Sequence, residues 1–308
     1  MLSFISKRFG EMAVALLLMS VVVFLLGRMT GDPVALLLSD YSTPQDRARV
    51  EQELGLDRPL VEQYGAFIVN VLKGELGNSI MGDQSPAADL ILERFPASLQ
   101  LAGVALLISF LIGVPLGVVA ATHRGKTLDV AARLVALIGQ SVPIFWLGIM
   151  LMYFFSVRLH LLPTSGYGTA AHFVLPAATM SLFTIAAVTR LVRASMVDIL
   201  NAEYIKLARI KGLSESVVIW KHALRNSLIP VLTFMGSFFA NMITGAVVIE
   251  TVFAWPGIGR LAYEAILNRD FPVIQAVVLF MTALFIGANL VVDLLYAWVD
   301  PRIRYGRR

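Results

Sequence analysis

Long apolar runs separated by polar segments dominate the chain. A helix needs about 20 residues to cross a hydrocarbon core roughly 30 Å thick. Six stretches meet that length: 12–29, 99–121, 134–157, 173–191, 231–252 and 273–299. The period-2 alternation of a membrane β-barrel is visible in none of them. The first stretch follows Lys7 and Arg8 and resembles the apolar core of a signal peptide. Gly27-Arg28-Met29-Thr30 fits a cleavage site poorly, so a retained helix is expected.

Two intervening segments are too large to be plain connectors, 30–96 and 193–229. In the first, Thr43, Pro44 and Asp46 form a capping-box start for a helix expected to stop at Gly55. A second helix is predicted from about Pro59 to Lys73, with Leu60, Tyr64, Phe67, Ile68 and Val71 on one face. A third should start at Ser85-Pro86 and stop before Pro96. In the second segment, Asn201 is placed to cap a helix over 203–211, and Gly212 to end it in the left-handed conformation. Ser214 would cap another over about 215–226. The expectation is a helix, an elbow and a helix, tied at both ends to spans. Its mixture of Ile205, Ala208, Leu213 and Val217 with bases suits a protein surface or a membrane face.

Composition sharpens this picture. Hydrophobic residues make up 57% of the 308, charged residues only 15%, which excludes disorder and speaks against an ordinary soluble enzyme. Cys is absent, so disulfides and thiolate chemistry are impossible. Placement of the bases sets the orientation. Lys7, Arg8, Arg124, Lys126, Arg133, Arg190, Arg193, Lys206, Arg209, Lys211, Lys221, Arg225, Arg302, Arg304, Arg307 and Arg308 all fall on one side of six spans. The short loops opposite hold only Arg158, Arg260 and Arg269. The positive-inside rule therefore puts both termini in the cytoplasm. Segment 30–96, with eleven acids against five bases, then lies outside, as a solvated surface or a docking face for a soluble partner.

Polar residues inside spans are costly and mark cavities, helix contacts or span ends. They are Gln140, Ser141, Asn241, Thr244, Glu250, Asn289 and Asp293. Glu250 and Asp293 are near enough to span ends to reach water, whereas Gln140 and Ser141, beside Pro143, and Asn241 are the candidates for a path. Gly113-Val-Pro-Leu-Gly117 has helix-packing spacing, and Trp255 and Tyr263 fall where an interfacial aromatic belt would lie. Other chemistry is poorly supported. The four His residues lack metal-ligand spacing, and Gly139-Gln-Ser141-Val-Pro143 lacks the last Gly of a nucleophile elbow. Ala120-Ala-Thr-His-Arg-Gly-Lys-Thr127 lacks the first Gly of a phosphate loop and ends a membrane helix.

The run Glu203-Tyr-Ile-Lys-Leu-Ala-Arg-Ile-Lys-Gly-Leu-Ser214, with His222-Ala-Leu-Arg-Asn226 downstream, resembles the coupling loop of ABC importer permeases. The version is that of the dipeptide/oligopeptide/nickel permease family. Further matches lie in order along the chain: Gly31-Asp32-Pro33, Leu54-Gly-Leu-Asp-Arg-Pro59, Gly74-Glu-Leu-Gly-Asn-Ser79, Ser141-Val-Pro-Ile-Phe-Trp146, Phe253-Ala-Trp-Pro-Gly-Ile-Gly-Arg260, Val292-Asp-Leu-Leu-Tyr296 and Asp300-Pro-Arg-Ile-Arg304. Where the general importer pattern has Glu and Pro, this chain has Lys206 and Arg225, so Glu203 is an alternative source of the acidic contact.

The resemblance implies an all-α integral membrane protein of six spans with a type I importer permease (MetI-like) core. It divides the chain into an N-terminal span (1–30), an external helical domain (31–96), a permease core (97–300) with coupling loop 193–229, and a cytoplasmic tail (301–308). It further implies a second homologous permease, two ATP-binding subunits, an external binding protein and the bacterial inner membrane. ATP and Mg are expected on the partner subunits, with no cofactor and no catalysis in this chain. Glu203, Tyr204, Ala208, Arg209, Lys211, Gly212 and Leu213 would couple to the ATPase, Ala208 and Gly212 allowing close approach and Arg209 and Lys211 making polar contacts. For each base the alternative is a positive-inside anchor. The cargo is expected to be a small peptide, with nickel, a nickel chelate or glutathione as alternatives. A self-sufficient secondary transporter is the reading from a different class. Inverted repeats or a buried charge relay would favour it, and neither is visible.

Overall fold

A computed structural model describes residues 2–29, 43–53, 55–81 and 83–299. Gly31-Asp32-Pro33 and the tail 301–308 lie outside them, as does the side chain of Asp293.

Twelve helices organise the described residues. They are α1 (Leu2–Met29), α2 (Pro44–Glu53), α3 (Leu60–Lys73), α4 (Ala87–Thr122), α5 (Thr127–Ser141), α6 (Ile144–Arg158), α7 (Ala170–Leu200), α8 (Glu203–Ile210), α9 (Glu215–Thr244), α10 (Val247–Val252), α11 (Ile258–Leu267) and α12 (Phe271–Val299). Five, namely α1, α4, α7, α9 and α12, are long and apolar enough to cross a membrane. The pair α5–α6 makes a sixth candidate, bent by 101° at its break.

The helices between the first two spans follow their local signals. Thr43 donates from its amide (3.0 Å) and hydroxyl (2.8 Å) to the Asp46 carboxylate, and the Asp46 amide donates back to the Thr43 hydroxyl. Helix α3 ends at Gly74, whose φ of +83° suits a residue without Cβ. It packs on the first span through Phe24, Tyr64 and Phe67, and Ser20 hydrogen-bonds the Tyr64 hydroxyl at 2.8 Å.

Among the boundaries that differ from the sequence expectation, two lie in the second and third spans. The helix beginning after Pro86 does not stop before Pro96 but runs 36 residues to Thr122. A proline removes one helical hydrogen bond. Ala97, Ser98 and Leu101, all buried, hold the next turn in place. The third span is not one straight helix either. Val142 and Pro143 adopt extended ψ values, because a residue before proline is pushed out of the α region.

Helix α4 crosses α7 closely enough that Gly113 and Gly117 have no room for a side chain. A Cβ at Gly117 would lie 2.5 Å from Val192 Cβ and 2.8 Å from the Thr189 carbonyl. The packing expected of the Gly-x3-Gly spacing is therefore realised. Three buried clusters follow. One joins α4, α7 and the end of α9 around Phe253 and Trp255. A second joins α4, α7, α8 and α9. The third joins α4, α11 and α12.

Candidate coupling element and translocation path

Helix α7 runs past the predicted end of its span to Leu200, and two residues later α8 begins. Asn201 does not cap α8; its side chain donates to the Val197 carbonyl at 2.9 Å, closing α7 instead. Ala202 occupies the cap position, with no side-chain hydrogen bond. Helix α8 then stops at Ile210. Gly212, at φ +79°, reverses the chain, with its amide on the Arg209 carbonyl at 2.9 Å. Ser214 precedes α9 as expected, but its hydroxyl makes no capping bond. Helix α9 does not end at 226. It continues through a π-helical turn, Val218–Ala223, into the fifth span.

Helix α8 thus has two faces. Ile205 (0% exposed) and Ala208 turn inward, into the cluster of Val192, Met196, Val218 and Ala223. Leu207, Ile210 (80% exposed) and Leu213 turn outward, with Trp220 exposed on the neighbouring turn. The small size of Ala208 therefore serves packing within the chain. Arg209 holds Glu215 across the elbow through two hydrogen bonds of 2.7 and 3.2 Å. Glu203 pairs with Lys206 at 2.7 Å, and Tyr204 accepts from Asn226 at 2.8 Å. Lys211 is exposed.

The path candidates are not brought together. Gln140 and Ser141 end α5 at the break, where the Ser141 hydroxyl donates to the Leu137 carbonyl at 2.8 Å. Gln140 accepts from Arg190 of α7 at 3.3 Å and borders a cavity of about 390 Å³ between α5 and α7. Asn241 lies exposed near the end of α9, donating to the Ser237 carbonyl of its own helix at 3.2 Å.

Two buried polar clusters escaped the sequence reading. Asp129 is only 1% exposed and accepts a fork from Arg193, Nε at 2.5 Å and Nη2 at 2.9 Å. The Gly125 amide donates to it at 2.9 Å, and Arg133 approaches to 3.4 Å. The clasp ties the α4–α5 turn to α7, about two turns before that helix ends at Leu200. Its signal was available, since Asp129 is the only acid between Glu93 and Asp198.

The other cluster corrects Glu250, expected to reach water but fully buried. Its carboxylate accepts from the Ser98 hydroxyl (2.6 Å) and the Arg260 amide (2.9 Å) at the start of α11, and the Ile258 amide donates to Ser98 (2.8 Å). This explains the two glycines nearby. A Cβ on Gly257 would collide with that carboxylate, and one on Gly259 would lie 2.7 Å from Val247 Cα. Trp255 is likewise buried rather than interfacial, its Nε1 donating to the Ala97 carbonyl at 2.9 Å. Tyr263 is exposed.

With this geometry established, the likeness to known proteins is informative. Residues 113–305 match the family model described as binding-protein-dependent transport system inner membrane component, and residues 1–102 match the model of its N-terminal region. A Brucella abortus (strain 2308) protein named for a peptide transport system permease is 40% identical over 314 residues, covering 99% of this chain and all of the relative. The glutathione transport system permease GsiC of Escherichia coli K12 is 41% identical over 306 residues, with the same coverage. Among solved structures, the inward-facing MetNI methionine ABC transporter matches with a TM-score of 0.59 at 18% identity, over 71% of this chain and all of that one. An amino acid ABC transporter matches with a TM-score of 0.51 at 16% identity, over 70% of this chain and 94% of that one. These two likenesses concern the fold.

Proposed function

Since the chain belongs to the family of binding-protein-dependent transport system inner membrane components, the permeases of ABC importers, we propose that it forms half of the translocation path of an importer of short peptides. The observation carrying this reading is helix α8. One face is locked into the core by Ile205 and Ala208, and the other leaves Leu207, Ile210 and Leu213 uncovered between two spanning helices. Exposed apolar groups on a short, braced element suit the groove of a soluble protein.

In this reading both termini are cytoplasmic and α8 sits in an ATPase subunit. A second permease completes the path, and a binding protein docks outside on the acidic external segment. ATP and Mg belong to the ATPase subunits. Glu203, Tyr204, Lys211, Gly212 and Leu213 shape the contact, while Arg209 braces the elbow through Glu215. ATP-driven closure of the ATPase pair moves α8, and the spans rock between inward-open and outward-open arrangements. Helix α9 transmits the motion, since it joins elbow and span without a break.

The relative named for peptide transport supports peptide cargo. The glutathione permease relatives support a second reading, in which the cargo is that modified tripeptide. Nickel or a nickel chelate has no namesake among the relatives reported above. The test is ATPase activity of the complex in nanodiscs, with binding protein loaded with dipeptides, tripeptides or glutathione. Stimulation by one loaded form names the cargo. A permease that binds no ATPase and responds to no loaded binding protein would refute the reading.

A further inference from the structure

The cavity between α5 and α7 has a chemistry that the packing of the two helices does not require. Its volume is about 390 Å³, and its walls mix Ala136 and Leu137 with three guanidinium groups, of Arg133, Arg190 and Arg193. One carboxylate, Asp129, faces this group, and it is engaged by Arg193 and approached by Arg133. Arg190 stands apart. Among the described residues its side chain makes one hydrogen bond, from Nη1 to the Gln140 carboxamide oxygen, at 3.3 Å. A guanidinium carries five donors, and its charge-assisted bonds settle at about 2.7–2.9 Å, so this contact is long and leaves most of the fork unused. Gln140 is the penultimate residue of α5, immediately before the break in the third span.

We propose that Arg190 and Gln140 form an oxyanion subsite on the path, which takes the C-terminal carboxylate of the peptide in transit. Arg190, counted from the sequence among the bases flanking the spans, lies ten residues before the end of α7, and a cation within a spanning helix is costly and persists where it serves a cavity or a partner. A guanidinium fork matches the two oxygens of a carboxylate, and the Gln140 amide nitrogen supplies a further donor. The C-terminal carboxylate is common to unmodified peptides whatever their side chains. Such a subsite therefore reads the class of cargo and leaves its sequence unread. The inference rests on the reading of the chain as a peptide importer's permease.

The test uses the full complex with its binding protein in vesicles, and compares import of trialanine with trialanine amide. All permease variants share one binding protein, so its own preference cancels when acid-to-amide ratios are compared. Arg190→Gln should lower that ratio on the order of tenfold, the loss of one charge-assisted carboxylate contact. Arg190→Lys should keep part of it and Gln140→Ala should lower it less. A variant that loses acid and amide import equally overturns the proposal, because packing then explains the loss. An unchanged ratio at full rate overturns it too. So does wild-type import that collapses to the Arg190→Gln rate when acidic lipid is omitted, since the anion would then be a headgroup. Wild-type complex that imports neither probe refutes the peptide reading itself, before any variant is made, and this proposal with it.

Discussion

Replacing Asp129 by Asn keeps the shape of a buried side chain while deleting its charge. Asp129 accepts three hydrogen bonds, two from Arg193 and one from the Gly125 amide, with Arg133 at 3.4 Å. Asn offers one acceptor oxygen, so the Arg193 fork loses a partner and its neutralising charge. Removing one member of a buried pair costs about 3–5 kcal/mol. Arg193 is 24% exposed and Arg133 56%, so water recovers part of that loss. The expected destabilisation is about 2–3 kcal/mol, consistent with about 1.5–3 kcal/mol per hydrogen bond to a charged group. Equilibrium unfolding of the purified permease in mixed micelles, followed by Trp fluorescence, measures it. Arg193→Gln should cost more, because it strands the more deeply buried carboxylate. The double variant should be less damaged than the sum of the two. A cost for Asp129→Asn below about 0.5 kcal/mol, or strict additivity in the cycle, would refute the clasp as an energetic unit.

The elbow at Gly212 and the buried cluster of Ser98 and Glu250 make two further predictions. Gly212 has open space around it but a φ of +79°. Gly212→Val should therefore cost about 1–2 kcal/mol through backbone strain alone and weaken stimulation by loaded binding protein, with Gly212→Asn markedly milder; equal effects of Val and Asn on the ATPase rate would contradict this. Ser98→Ala removes the hydroxyl between Glu250 and the Ile258 amide. It should cost about 1–3 kcal/mol in the same unfolding assay, and a variant as stable as the parent would show that the clip carries no net energy.

Periodicity and caps made the spans and the helices of segment 43–73 legible, because those signals are local. Thr43, Asp46, Gly74 and Gly212 each act within a turn of their own position. The failures share a different cause. Pro96 signals a helix stop, yet contacts of Ala97 and Ser98 with residues some 160 positions away override it. Glu250 looked like a span end because its partners, Ser98 and Arg260, come from other helices. The segment 203–214 was recognisable as a motif, but which face of α8 is uncovered depends on the cluster beneath it. Gln140 stood out as an intramembrane amide, whereas its pairing with Arg190 needed the crossing of α5 and α7.

The break after Ser141 also bears on how tightly such a protein must hold an ion gradient. The fifteen residues of α5 rise about 22 Å, less than the roughly 30 Å of a hydrocarbon core, so a span that enters with α5 breaks before it has crossed. Unpaired peptide groups at that depth persist only against protein or water. Ser141 and Val142 bond the Leu137 and Ile138 carbonyls, and the last carbonyls of a helix have no partner within it. A kink at that depth that water reached would be a short circuit for protons and sodium. In the proposed cycle, the rocking of the spans would then have an insulating duty as well as a transporting one, with one end of the path shut before the other opens.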